Sequence, residues 1–277
     1  MSSPEDKAQR VLAALQTKTS IAPLTDDEPA FDLAMAYRTS AFVTAARRAR
    51  GETPVGWKVG FTNRTIWNEY GVHAPIYGPL YDSTVTHVTG LAQLAIGHLL
   101  EPRIEPEIVF RLKKAPSAHM DEETLIGCLD GVAHGFEIVQ SIFPGWRFKA
   151  ADTVAAFALH GAEAVGPFTP MPGWRTPQEW RKLLERFSIT LFKDGVQVDR
   201  GIADNVLGGP LSALRHFIGE IARDPDQEMP GPGMIISTGT ITRAWPVAPG
   251  ECWTTRVEGL VVADMTLTFT SGAEAIR

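Results

Sequence analysis

Apolar residues Val11, Leu12 and Leu15 recur at a helical period, and a second run through Leu33, Met35, Ala36, Phe42 and Val43 does the same. The second run opens on Thr25, Asp26, Asp27 and Glu28 and closes on Arg47, Arg48, Arg50 and Gly51, acid first and base last, as the helix dipole favours. After Gly51 the pattern changes. Residues 54–62 read as a strand, 63–70 as a short helix stopped at Gly71, and 75–88 as irregular chain with a strand. Apolar runs at 104–112, 135–142, 189–192, 234–237 and 261–269 then alternate with helices expected near 121–133, 176–186 and 210–223. Asp194-Gly195 and Glu258-Gly259, each flanked by alternating residues, predict two tight turns. Helices separated by antiparallel strand pairs predict an α+β fold, with a helical segment over 1–50 packed on a main domain over 51–277.

Charge and cysteine content narrow the function. Lys and Arg total 26 against 32 Asp and Glu, a net charge of −6, and such a field repels nucleic acids and anionic membrane surfaces. Cys128 and Cys252 stand far apart with no CxxC partner, which excludes a disulfide scaffold and a thiolate zinc site. The polar N-terminus lacks an apolar core, and the most apolar stretch, 91–100, is interrupted by Gln93 and His98, so a cytoplasmic location is expected.

Candidate chemistry concentrates in Glu101-Pro102-Arg103-Ile104-Glu105-Pro106-Glu107. On a strand, the period of two puts Glu105 and Glu107 on one face. Two carboxylates that close repel unless a cation lies between them, and hard divalent ions prefer such oxygens. An ExE alone is equally the solvated face of an edge strand. Glu137 adds a lone acid to the apolar run His134–Gln140, where an unpaired carboxylate is costly to bury. Lys58, between apolar neighbours on the first strand, would hold a substrate carboxylate or move a proton; otherwise it is a snorkelling surface lysine. His73, His87, His98, His119, His134 and His216 show no HxH or HExxH spacing, and no GxSxG elbow is present.

Together with Gly56-x-Lys58-x-Gly60-x-Thr62, Pro75-Ile76-Tyr77-Gly78, Phe136-Glu137-Ile138-Val139, Asp152-Thr153-Val154-Ala155, Val206-Leu207-Gly208-x-Pro210-Leu211 and Val257-Glu258-Gly259-Leu260, these segments resemble the 2-oxopent-4-enoate hydratase and 4-oxalocrotonate decarboxylase family of the fumarylacetoacetase-like superfamily, from about residue 30 to 270. The resemblance implies a fumarylacetoacetase C-terminal-domain-like mixed β-fold, a sandwich or roll wrapped by helices. It implies Mg²⁺ or Mn²⁺ on Glu105, Glu107 and Glu137, Lys58 in the active site, and a small 2-oxo acid substrate. It also implies a homo-oligomer, which in decarboxylase members can associate with a partner pathway enzyme. Tyr77, Asp152 and Ser237 are expected to contact substrate.

Two departures matter. Hydratases of the family commonly have Pro-Asp-Phe-Gly where this chain has Pro75-Ile76-Tyr77-Gly78, closer to the decarboxylases. Ala156-Phe157-Ala158-Leu159-His160-Gly161 replaces the usual Asp-Asn-Ala-Ser-Ser-Gly. His160 is either a histidine at a helix end hydrogen-bonded to backbone, or it lines the pocket and takes over proton transfer from the missing acid near Ile76. The reading is hydratase-like lyase chemistry; its alternatives are decarboxylation, C–C bond hydrolysis by the same metal site, or a binding relative that has lost activity.

Overall fold

The computed structural model describes residues 2–272. Helix α1 (Pro4–Thr17) starts at Ser3, whose side chain and that of Asp6 satisfy each other's backbone N–H groups. The second helical run is two helices rather than one. Pro29 falls in the break between α2 (Leu24–Asp27) and α3 (Leu33–Ala49), and Asp32 caps the latter through Met35 N.

In chain order there follow β1 (Pro54–Gly60), α4 (Trp67–Tyr70), β2 (Ile76–Tyr81), β3 (Val85–His87), β4 (Leu91–Ala95), β5 (Arg103–Leu112), α5 (Glu122–Ile126) and β6 (Leu129–Val139). Next come α6 (Ala150–Ala155), β7 (His160–Val165), β8 (Thr169–Pro170), α7 (Pro177–Leu184), β9 (Ser188–Lys193) and β10 (Val196–Ile202). The rest is α8 (Pro210–Ile221), β11 (Ile235–Thr240), β12 (Trp245–Pro246), β13 (Cys252–Glu258) and β14 (Thr266–Thr270).

One sheet has the order β2-β1-β11-β5-β6-β7-β3, with β12 and β8 added at its margins, and a second runs β10-β9-β13-β14-β4. The pairing is mixed: β1 with β11, β3 with β7 and β14 with β4 are parallel, the other pairs antiparallel. Two mixed sheets wrapped by helices make this an α+β fold, as the sequence predicts. The first sheet curls until β2 touches β7. Leu80, Val109, Ala133, Val165 and Ile235 fill one end of the enclosed face. On the other face Trp57, Val59, Phe110 and Ile236 pack against Leu214 and Phe217 of α8, while Ile104, Phe136 and Ile138 meet Trp253 and Leu267 of the second sheet. Helices α1, α3 and α6 share a separate apolar cluster with Ile76 and Val139.

Two further sequence expectations are corrected. The helix foreseen near 121–133 ends at Ile126, because 129–139 is buried and pairs on both edges, so tertiary pairing overrides local preference. The tight turn at Glu258-Gly259 is the start of a longer connection that reaches β14 at Thr266, whereas Asp194-Gly195 does join β9 directly to β10.

Candidate active site

β5 carries Glu105 and Glu107 on the enclosed face, and the antiparallel register sets Glu105 opposite Glu137 and Glu107 opposite Gly135 of β6. The period of two and the pairing bring the three carboxylates together, each offering an oxygen within 4.8 Å of the others. Glu107 and Glu137 are buried and Glu105 is half-buried. Lys58, on β1 in register with Ser237 of β11, points into the same space. Its Nζ lies 2.9 Å from Glu137 Oε2 and donates to Ala158 O at 3.0 Å.

Each buried carboxylate is anchored by one oxygen. Glu107 Oε2 accepts from Ser237 Oγ (2.6 Å) and Gly239 N (2.7 Å), leaving Oε1 buried with no partner. Gly239 is required there, since its φ is +101° and a Cβ would sit 2.0 Å from Thr62 Oγ1. Glu137 Oε1 accepts from His160 Nδ1 at 2.8 Å, and the imidazole Nε2 meets Thr84 Oγ1 at 2.9 Å. Glu137 Oε2 faces Lys58 as an ion pair but is not aligned for a hydrogen bond.

Burial pushes Glu105 up to about 7, Lys58 opposing and Glu137 adding to the shift. Burial, then Glu137 and Glu105, raise Glu107 well above the carboxylate range. Burial would raise Glu137 too, but Lys58 and the His160 hydrogen bond outweigh it and hold it down. Lys58 shows the converse: desolvation favours the neutral amine, and the carboxylates around it outweigh that and raise its pKa.

The group opens into a cleft of about 730 Å³. Ile76, Val139 and Leu159 give its inner wall apolar character, Tyr70, Trp146 and Phe148 an aromatic side, and Arg103, Asp199, Arg243 and Trp245 contribute further lining. An oxygen-only donor set, with Glu107 Oε1 unpartnered and Glu137 Oε2 free of any hydrogen bond, fits a hard divalent cation.

Four residues expected at the site have their polar groups engaged by the protein. His160 is buried behind Glu137 with both ring nitrogens engaged, because the irregular pairing between Ile138 and Val139 brings it onto that carboxylate. Tyr77 points to the opposite face, its ring 4.6 Å from that of Tyr37 and its hydroxyl donating to Asp224 Oδ2. Asp152 ties α6 to α2, accepting from Thr25 N, Thr25 Oγ1 and Lys149 N. Ser237 spends its hydroxyl on Glu107.

Glu163 escaped the sequence reading. It stands on β7 directly opposite Glu137, fully buried, with neither carboxylate oxygen partnered. It fits because Gly135 lacks a side chain, a Cβ there lying 2.6 Å from Glu163 Oε1. Burial, then Glu107 and Glu137, raise its pKa well above the usual range. The signal was available, since Gly161-Ala162-Glu163-Ala164-Val165 is as apolar a setting as that of Glu137.

A scan of protein-family models finds no match to the chain. The 2-hydroxyhexa-2,4-dienoate hydratase of Comamonas testosteroni is 29% identical over 259 residues, 92% of this chain and 94% of that one. The 2-hydroxypent-2,4-dienoate hydratase of Pseudomonas putida is 30% identical over 205 residues, covering 73% of this chain and 87% of that one. Among solved structures, the 4-oxalocrotonate decarboxylase of Pseudomonas putida G7, complexed with magnesium and adipate, superposes with a TM-score of 0.85 at 27% identity, covering 96% of this chain and 97% of that one. The chain belongs to the 2-oxopent-4-enoate hydratase and 4-oxalocrotonate decarboxylase family. It is an enzyme of lyase type, and no helix among the described residues is long and apolar enough to cross a membrane.

Proposed function

We propose that the protein is a divalent-metal-dependent lyase acting on a short unsaturated 2-oxo acid, with hydratase-like chemistry, and that residues 51–277 form its catalytic unit under a helical cover from 1–50. The observation that carries this is the convergence of Glu105, Glu107 and Glu137 beside Lys58 in the cleft. These glutamates would hold Mg²⁺ or Mn²⁺, which when bound supplies an electrophile to a chelating 2-oxo acid. Ser237 and Gly239 N fix Glu107, and His160 fixes Glu137, so the remaining oxygens stay aimed at one point. Lys58 remains an ammonium, so it binds the substrate carboxylate or donates a proton to the dienolate rather than acting as the resting base. In hydration a proton goes to one carbon and hydroxide to another; in decarboxylation a C–C bond breaks and its electron pair enters the dienolate. The apolar wall at Ile76, Val139 and Leu159 favours decarboxylation as the second reading, since an apolar surface destabilises a carboxylate more than CO₂. Assaying 2-oxoalkenoates with Mg²⁺ and Mn²⁺, with absorbance and CO₂ followed together, separates the two; no turnover with any of them defeats both. A cytoplasmic location and a homo-oligomeric state, with or without a partner pathway enzyme, accompany this reading, and light scattering tests the oligomer.

Two variants probe the assigned roles. Lys58→Met should retain Mn²⁺ binding and lose turnover by at least about 100-fold, because the lost cation acts on substrate; unchanged kinetics would remove Lys58 from the mechanism. His160→Ala should weaken Mn²⁺ binding about 10- to 100-fold, as expected of a group that orients a ligand. The pH–rate profile should keep its shape, since both ring nitrogens of the buried imidazole are engaged by Glu137 and Thr84 and desolvation lowers its pKa. Loss of an inflection would restore the proton-transfer role.

A further inference from the structure

Phe61, Tyr70, Phe148 and Trp146 line one side of the cleft as a continuous row of rings. Their centroids lie 4.8 Å apart from Phe61 to Tyr70, 5.9 Å from Tyr70 to Phe148 and 6.0 Å from Phe148 to Trp146, the spacing of interacting aromatic pairs. All four residues are only half-buried, so they leave ring surface to the cleft. Phe61, Phe148 and Trp146 rest on the apolar cluster shared by α1, α3 and α6, which backs the row.

Two of the rings are displayed at a backbone cost. Phe61 has a φ of +52° and Trp146 a φ of +59°, left-handed values that are rare for bulky residues and persist where the surroundings enforce them, often at ligand clamps. Here Trp67 Nε1 donates to Phe61 O at 2.7 Å. Trp146 Nε1 donates to Glu101 O at 3.1 Å, and the Arg103 guanidinium lies 4.0 Å from its ring centre. The row also begins beside the carboxylates: Phe61 is three residues past Lys58, and Trp146 stands against Arg103, two residues or about 6.6 Å along β5 from Glu105. A cleft of about 730 Å³ is in the range that encloses a drug-sized ligand, far more than a five-carbon acid fills.

Resting on the lyase reading above, we propose that this row is a subsite for an aryl group, and that the substrate is a short 2-oxoalkenoate whose far end carries an aromatic ring. The ring stacks offset or edge-on against the row while the 2-oxo acid end meets the glutamates and Lys58, and a linker of a few carbons spans the step between them. The aryl group is a spectator in hydration: water gives a proton to one carbon of the double bond and hydroxide to the other, and no bond to the ring forms or breaks. Its contact is the same in ground state and transition state, so it lowers KM and leaves kcat to the metal site.

The saturated ligands 2-oxo-4-phenylbutanoate, 2-oxodecanoate and 2-oxopentanoate cannot be hydrated, so calorimetry with Mg²⁺ present gives a test independent of turnover. The parent should bind the phenyl ligand about 30-fold tighter than 2-oxopentanoate. It should also bind it about 3-fold tighter than 2-oxodecanoate, which has as many carbons but no ring and more rotational freedom to lose. Phe148→Ala, in the middle of the row, should cut the phenyl-to-pentanoate ratio by at least about 5-fold with Mn²⁺ affinity unchanged, and Phe148→Tyr, which keeps the ring, should retain it. Tyr70→Leu should lower the same ratio independently. A phenyl ligand bound no better than either of the others would overturn the proposal. So would a ratio that survives both Phe148→Ala and Tyr70→Leu, since the rings would then only tie residues 61–70 to 143–148. Binding or turnover of short 2-oxo acids without any aryl preference would defeat this inference alone, whereas neither binding nor turnover of any 2-oxo acid would defeat the lyase reading itself.

Discussion

Glu137→Gln is expected to reduce Mn²⁺ affinity by more than about 100-fold, to abolish turnover and to destabilise the metal-free fold by about 3 kcal/mol. The residue is central to β6, with Glu105 opposite on one side and Glu163 on the other, and its two oxygens meet His160 and Lys58. An amide has one oxygen and one NH₂. With the oxygen toward His160, the NH₂ confronts the Lys58 ammonium, donor against donor; with the orientation reversed, it confronts the imidazole N–H. Either way Lys58 loses its nearest countercharge while buried, and that sets the stability cost. Partners that merely orient a ligand contribute 10- to 100-fold to affinity, so loss of a ligand itself should exceed that range. Mn²⁺ titration and thermal melting in chelator check the two parts separately. Parent-like Mn²⁺ affinity would place the ion elsewhere.

The three carboxylates were legible for different reasons. Glu105 and Glu107 follow from a period of two, and Glu137 from the cost of a lone acid in an apolar run. That they share one site depends on the register of β5 with β6, which pairs residues 32 positions apart and leaves no local trace. Facing direction was the weak point. Tyr77 lies in a recognisable segment, but pairing of Gly78 with Lys58 turns Ile76 and Gly78 toward the site and Tyr77 away from it. His160 was noticed for its chemistry, yet a local irregularity in pairing decides whether it meets substrate or Glu137. Helix limits failed near 121–133 because an apolar run serves equally as a buried helix or a buried strand until its hydrogen-bond partners are known. Glu163 carried the same signal as Glu137 but stood outside the quoted family motifs.

Without metal, the protein should lose stability as pH rises from about 5 to 7.5, the reverse of ordinary acid denaturation. Glu105, Glu107 and Glu163 have folded-state pKa values raised above their unfolded ones, with Glu105 at about 7. Between the two values the folded state binds more protons than the unfolded state, so deprotonation favours unfolding. Glu137, held down chiefly by Lys58 against the effect of burial, acts oppositely, but its stabilising contribution is lost only below the window, as pH falls toward its folded value. Lys58 is raised, so its contribution persists throughout the window and is lost only far above it, whereas buried His134, lowered to about 4, and His160, also lowered by desolvation, oppose the fall below about pH 6.5 and no further above it. For Glu105 alone, a rise from 4.5 to about 7 amounts to roughly 2–3 kcal/mol, taken below the full conversion because solvent reaches part of the group. For a chain of this size that group alone corresponds to a Tm fall of about 5 °C, offset in part below about pH 6.5 by the histidines. Saturating Mg²⁺ should remove the fall, since the cation takes the place of the protons and binds only the folded state, adding about 2.7 kcal/mol at 100 times its Kd. Glu163→Gln should raise the metal-free Tm at pH 7.5 and leave it nearly unchanged at pH 5, because it removes a buried, unpartnered carboxyl whose ionisation favours the unfolded chain as pH rises. A Tm in chelator that stays flat or climbs from pH 5 to 7.5 would mean that these carboxylates find countercharges in the folded protein other than Lys58 and a divalent ion.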